Sequence, residues 1–242
     1  DSVWHSLIII RGPAKTGRVI TRLGAGETGK VGVVTGGGSG HLPVFAGYCG
    51  KGLVDSCAVG NVFAGPSVVD CIDAIKAADG GAGVLRLYGN YGGDRMNFDM
   101  AGEMLELEGF KTTTVLVADD VASGEVGSEE KRRGVAGMVF AFKIAGAAAA
   151  AGAGLSSVTK ITQKATDSCR TIGVALTSCT VPEAGKPTFE IADDEIEMGM
   201  GIHGEPGIWR GKLPSADSMA DEMLQRVVSE LKLNNGDRVS VL

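Results

Sequence analysis

At 242 residues the chain can bury a sizeable core, as one large α/β domain or as two smaller ones. Hydrophobic residues at 44% exclude a disordered chain, and a formal net charge of −6 excludes the basic footprint by which proteins hold nucleic acid. The five cysteines, Cys49, Cys57, Cys71, Cys169 and Cys179, show no CxxC spacing, which argues against a zinc site or a disulfide framework and for reduced thiols in the cytoplasm.

The opening VWHSLIII, residues 3–10, lacks a basic leader and a small-residue cleavage site, so it is a poor signal peptide. VGVVTGGG then reads as a buried strand. GVLRLYGN and TTTVLVADD repeat the form, a few Val and Leu residues ending in Gly, Asn or Asp. Between these runs, PSVVDCIDAIKAADGG and FDMAGEMLELEGF place apolar residues at helical spacing and stop at glycine. This alternation predicts an α/β domain with a largely parallel sheet. The run GVAGMVFAFKIAGAAAAAGAGL, residues 134–155, is long enough to span a bilayer, but Lys143 sits at its middle and most of it is Ala and Gly. The charges of EEKRRG before it suit a surface start, so a helix buried in a soluble domain is expected and no membrane association.

After the polar helix LSSVTKITQKATDSC the rhythm changes to short strands and turns, TIGVALTSC and then TVPEAGKPTFEIADDEIEMGMGIHGEPG. The division is placed at 168/169: residues 1–168 form a first α/β domain bearing the Gly-rich loops, and residues 169–242 a second, smaller α/β domain. That second part closes with the amphipathic helix SADSMADEMLQRVVSELKL, the turn NNGD, and RVSVL, which starts like a core strand and stops uncovered. The second domain therefore reads as truncated. The 38 glycines gather in loops after strands, where backbone approaches ligand.

Three loops could carry chemistry. TGGGSGHLP, Thr35–Pro43, follows the strand VGVV, where open α/β sheets place their ligands. Glycines there let backbone N–H groups face a bound oxygen, and His41 beside Ser39 has a use in proton transfer or hydrogen bonding. Neither a Walker A loop nor GxGxxG is present, and a loop of this composition is as readily structural. YGNYGGDRMNFDMA ends another strand at Gly89, Asn90, Gly92 and Gly93, followed by Asp94. Asp94 either caps the next helix or takes a proton from a hydroxyl, and both readings stay open. Both loops end parallel strands expected to be neighbours, which puts His41 and Asp94 on one edge of the sheet. In GMGIHGEPG, Gly199–Gly207, His203 stands among glycines beside Glu205. No Cys or His lies at ligand spacing, so no metal is expected, and no GxSxG elbow makes it a hydrolase base. A lone histidine is most often structural. The chemical alternative is addition of a neutral imidazole to a carbonyl, with Glu205 orienting the ring or taking its other proton.

The blocks GGGSGHLP, GNYGGDRMNF, EEKRRGVAG, CTVPEAGKPTF and EIEMGMGIHGEPGI, in this order and spacing, resemble the sugar-binding, substrate-carrying subunit or domain of dihydroxyacetone kinases. The resemblance implies a covalent hemiaminal between His203 and the carbonyl of a short ketose. It implies substrate contacts at Gly38, Ser39, Gly40, His41, Gly89 and Asp94, with Asp94 and His41 doing acid/base work on the hydroxyl to be phosphorylated. It also implies a homodimer and a separate nucleotide-binding or phosphoryl-donor subunit or domain. That partner would hold ATP or ADP with Mg²⁺, and this chain would bind no cofactor itself. Family members acting on dihydroxyacetone often read GGGSGHEP and KNYTGD, whereas this chain has Leu42 for the acid and Gly89 for the lysine. Losing the lysine removes a donor and opens space, which leans the expectation towards a four-carbon ketose such as erythrulose. The alternative is a non-catalytic ketose-sensing paralogue acting as a transcriptional co-regulator, which would not need Asp94 with His41. An inactive Gly-rich fragment is the third reading.

Overall fold

The computed structural model describes residues 7–10 and 16–242; residues 1–6, where VWHSLIII begins, and 11–15 lie outside the described residues. The chain divides into two compact units, Asp1–Ala118 with Arg133–Cys169, and Asp119–Arg132 with Arg170–Leu242. This differs from a single division at 168/169, because residues 119–132 group with the C-terminal part. Their bonds explain it. Thr171 donates its hydroxyl to Asp119 at 2.6 Å and its amide to the Asp119 carbonyl at 2.9 Å, and Val121 N–H donates to the Thr171 carbonyl.

The first unit is built on a six-stranded sheet. Its strands are β1 (Leu7–Ile10), β2 (Val19–Arg22), β3 (Gly32–Gly38), β4 (Ser56–Gly60), β5 (Val84–Gly89) and β6 (Thr112–Val117), in the order β1-β2-β4-β3-β5-β6. β4, β3, β5 and β6 run parallel, while β1 and β2 extend the sheet antiparallel. Parallel strands covered on both faces bury every position, and β3 and β5 do so throughout, which is why they read as apolar or glycine runs broken only by Thr35 and Arg86. Four helices follow: α1 (Val68–Ala78), α2 (Gly92–Leu107), α3 (Gly137–Ala150) and α4 (Leu155–Asp167). Side chains alternate along the strands between two cores. Val33, Leu85, Leu87, Val115 and Val117 pack with Met138, Phe142 and Ala145 of α3 and Val158 of α4. Val34, Ala58, Val84 and Tyr88 pack with Cys71 and Ile75 of α1 and Phe98 and Leu105 of α2.

Local chemistry sets the helix starts. Ser67 and Asp70 form a reciprocal capping box at the head of α1. α3 takes up the Ala/Gly run that is long enough for a bilayer: its glycine Gly146 lies so close to the Leu53 backbone that no side chain fits there. No helix among the described residues is long and apolar enough to cross a membrane.

The second unit holds a three-stranded antiparallel sheet, β7 (Val174–Ala175), β8 (Glu195–Met198) and β9 (Trp209–Lys212), followed by α5 (Ala216–Leu231). Arg132, with no exposure, anchors α5: its guanidinium donates to both Glu230 oxygens at 2.6 and 2.9 Å and to the Gly124 carbonyl at 2.8 Å. The expected strand RVSVL is absent. Arg238–Leu242 carry no strand, and Val239, Val241 and Leu242 are exposed, because alternating valines make a strand only against a paired edge.

Candidate functional site

β3 and β5 are adjacent and parallel, so the loops that follow them leave the same edge of the sheet. The glycines expected to form a loop after VGVV are still strand. β3 runs through Gly36, Gly37 and Gly38, and close neighbours explain the composition. A Cβ on Gly37 would fall onto the Phe45 ring, and one on Gly38 would lie 2.9 Å from the Phe63 backbone. The chain then makes a single 3-10 turn, Ser39–His41. The Ser39 amide donates to the Asn61 carbonyl at 3.1 Å.

His41 is half-buried between two phenylalanines. Its imidazole stacks on Phe63 at 4.7 Å between centroids and 27° between planes, and meets Phe45 edge-on at 6.2 Å and 75°. Both rings belong to residues with left-handed backbone, φ 67 at Phe45 and φ 56 at Phe63, a conformation that bulky side chains rarely adopt. Phe63 lies in the β4–α1 loop, and the same loop reaches the second candidate: a Cβ on Gly65 would stand 2.8 Å from Asp94 Oδ1.

Asp94 does not cap α2. The helix starts six residues before the expected FDM, at Gly92, with Tyr91 at the cap position and Asp94 inside the first turn. A carboxylate there faces the positive end of the helix dipole. Beneath it lies Cys71, whose thiol is pushed well up, first by burial and then by the Asp94 and Asp70 carboxylates. The structure thus brings His41, Asp94, Gly38, Ser39, Gly40 and Gly89 to one edge of the first unit. The room expected at Gly89 is taken: a Cβ there would meet the Tyr91 ring at 3.1 Å and the Gly134 carbonyl at 3.2 Å.

His203 belongs to the second unit, in the connection between β8 and β9. Glu197 on β8 closes the base of that hairpin, accepting the Gly207 amide at 2.6 Å and the Arg210 guanidinium at 2.5 and 2.8 Å. Within the loop, Glu205 folds back on His203, with Oε2 accepting the His203 amide at 2.9 Å and Oε1 lying 3.1 Å from Nδ1. Burial pushes the Glu205 carboxyl up, but its own amide, the His203 amide and the His203 ring together outweigh this and hold it below the usual carboxylate range. An ionised carboxylate only accepts, so Nδ1 carries a proton and donates it to Glu205. Gly204, at φ 87, makes the turn that permits this clasp, and Thr188 and Phe189 of the CTVPEAGKPTF block lie against it.

Residues 9–242 match the Dak1 domain. The chain belongs to this family. It is 49% identical over 214 residues to the dihydroxyacetone-binding subunit DhaK of a PTS-dependent dihydroxyacetone kinase from Listeria innocua, covering 88% of this chain and 65% of that one. It is 42% identical over 223 residues to a D-erythrulose kinase of Mycolicibacterium smegmatis, covering 92% of this chain and 38% of the enzyme. Among solved structures, the dihydroxyacetone kinase of C. freundii, in complex with AMP-PNP and Mg²⁺, superposes with a TM-score of 0.86 at 33% identity, covering 95% of this chain and 42% of that one. This Dak1 chain spans about two thirds of the length of the DhaK relatives it matches, 65% and 67% of two Listeria subunits.

Sequence reasoning missed Phe45, Phe63 and Gly65, which pack against His41 and Asp94, and Glu197, which holds the His203 hairpin. NVFAG, residues 61–65, contains no motif; the one local signal was an aromatic set among small loop residues.

Proposed function

We propose that the chain is the ketose-binding part of a dihydroxyacetone-type kinase, capturing a short ketose covalently on His203. The observation that carries this reading is the His203–Glu205 clasp at 3.1 Å in a glycine-framed hairpin. The Nε2 lone pair adds to the carbonyl carbon, the C=O π pair moves to oxygen, and that oxygen takes a proton to become the hemiaminal hydroxyl. The ring, positive after addition, is balanced by the ionised Glu205 carboxylate and returns to neutrality by losing its Nδ1 proton to water, which replaces the proton that water gave to the oxygen. His41 and Asp94 take the proton of the hydroxyl that receives the phosphoryl group. The ketose is dihydroxyacetone or a tetrulose such as erythrulose. Relatives of both kinds support this range, and the filled space beside Gly89 removes the sequence argument for the longer sugar.

Among the described residues no cluster of three or more His, Cys, Asp or Glu is placed to hold a metal. The phosphoryl donor is a separate nucleotide-binding or phosphoryl-donor subunit or domain. The protein works as a homodimer in the cytoplasm. The presence of Asp94 together with His41 favours the kinase over a ketose sensor.

Intact-protein mass spectrometry after incubation with dihydroxyacetone or erythrulose tests the capture. A hemiaminal adds the full mass of the ketose with no water lost, unlike a lysine imine. The adduct should vanish in His203→Ala and should never form with glycerol, which has no carbonyl. An unchanged adduct in His203→Ala would sink the proposal.

A further inference from the structure

We infer that Phe63 is a positioning residue for proton transfer, setting His41 and Asp94 together through one short loop. The inference rests on the ketose-kinase reading and adds a residue to its machinery.

Three of the described non-glycine residues have positive φ, and two of them, Phe45 and Phe63, are the two rings in contact with His41. Left-handed backbone at a bulky residue persists only where its surroundings hold it, and it gathers at sites where geometry matters. The surroundings of Phe63 are specific. On its N-terminal side, Asn61 accepts the Ser39 and Ala64 amides at 3.1 and 3.2 Å, and its side chain accepts the Arg18 guanidinium at 2.6 Å. That fixes the loop to the turn carrying His41. Gly40 in that turn leaves room for the Phe63 ring, since a Cβ there would come within 2.5 Å of it. On its C-terminal side, Gly65 lies against the Asp94 carboxylate and the Pro66 carbonyl accepts Asn97 Nδ2 at 2.8 Å, fixing the loop to the first turns of α2. The loop therefore touches both proton-handling groups, and the handed backbone at Phe63 aims its ring across the His41 imidazole. Phe45 meets the same imidazole edge-on at 6.2 Å. The stacked ring and the edge-on ring together narrow the rotamers open to the imidazole.

The test is nuclear magnetic resonance of the histidine ring protons in the full-length protein. It is read beside the His203 adduct and the kinetics of ketose phosphorylation. The chain has three histidines, and His41→Gln assigns the resonance of interest. In Phe63→Leu the His41 ring signal should lose its aromatic ring-current shift and its titration midpoint should move. The pH profile of kcat should move with it, and kcat should fall roughly ten- to a hundred-fold with little change in KM. Phe63→Tyr should restore all of these, and Gly40→Ala should reproduce the spectral change with Phe63 itself intact. The His203 adduct should form in the parent, in Phe63→Leu and in Phe63→Tyr. Its absence from the parent protein would refute the ketose reading. An intact adduct with an unmoved His41 signal and pH profile in Phe63→Leu would refute the role of Phe63.

Discussion

Replacing Gly65 by alanine measures how tightly the sheet edge fixes Asp94. The added Cβ would stand 2.8 Å from Oδ1, 3.3 Å from the carboxyl carbon and 3.4 Å from the Asp94 amide, whereas ordinary contact begins at 3.4 Å. The nearest of these atoms is the far end of a side chain, so the carboxylate is the group that gives way, by roughly half an ångström. Misplacing a reacting group by about 1 Å costs on the order of a hundred-fold in rate, so this shift should lower kcat about ten-fold, equivalent to about 1.4 kcal/mol of barrier. Folding should not suffer. Gly65 is exposed and its φ lies outside the left-handed region, so alanine fits the backbone and narrows the unfolded ensemble, adding about 0.5 kcal/mol of stability. Coupled kinetics of ketose phosphorylation by the full-length protein with its phosphoryl donor, run beside thermal denaturation, would read both quantities. Gly154→Ala, whose Cβ meets nothing within 4 Å, is the control. An unchanged kcat in Gly65→Ala, or a loss of activity matched by a loss of stability, would refute the reasoning.

Asp94→Asn should leave the His203 adduct intact and lower phosphoryl transfer by roughly two to four orders of magnitude, the worth of a positioned acid/base group; loss of the adduct as well would make Asp94 structural. Glu205 is held below its ordinary value of 4.5, so the folded state favours its ionised form. Its contribution to stability is full above that pH and is lost as pH falls through the lower folded value. Glu205→Gln should therefore be less stable than the parent at neutral pH, with the gap in urea midpoint closing under acid. Arg132→Met removes one of the two arginines bound to Glu230, leaving Arg170 at 3.2 Å, and should cost up to about 3 kcal/mol in urea denaturation.

What the sequence showed depended on how local each signal was. β3 and β5 are buried along their whole length and read as apolar or glycine runs broken only by Thr35 and Arg86, while β6 shows itself by the Val115–Val117 end of TTTVLV. β4 was invisible because SCAVG, residues 56–60, is made of small residues with one β-branched side chain, though it pairs with β2 and β3. The start of α2 was hidden by Gly92 and Gly93, poor helix formers that begin the helix all the same. The His203 loop was legible because its chemistry lies within three residues. The stacking of His41 on Phe63 was not, since it spans 22 positions and depends on the sign of one backbone angle.

The way the chain threads its two units bears on synthesis and on engineering. It leaves the first unit after Ala118, returns at Arg133 and leaves again after Cys169. Arg132 and Glu230 are 98 residues apart, so at about 5–20 residues per second the guanidinium waits roughly 5–20 s on the ribosome for its carboxylate. A single cut after Cys169 would strand residues 119–132 on the wrong fragment, with Asp119 severed from Thr171 and Arg132 from Glu230. Anyone wishing to express the sheet-bearing unit alone would need to excise that segment and splice Ala118 to Arg133.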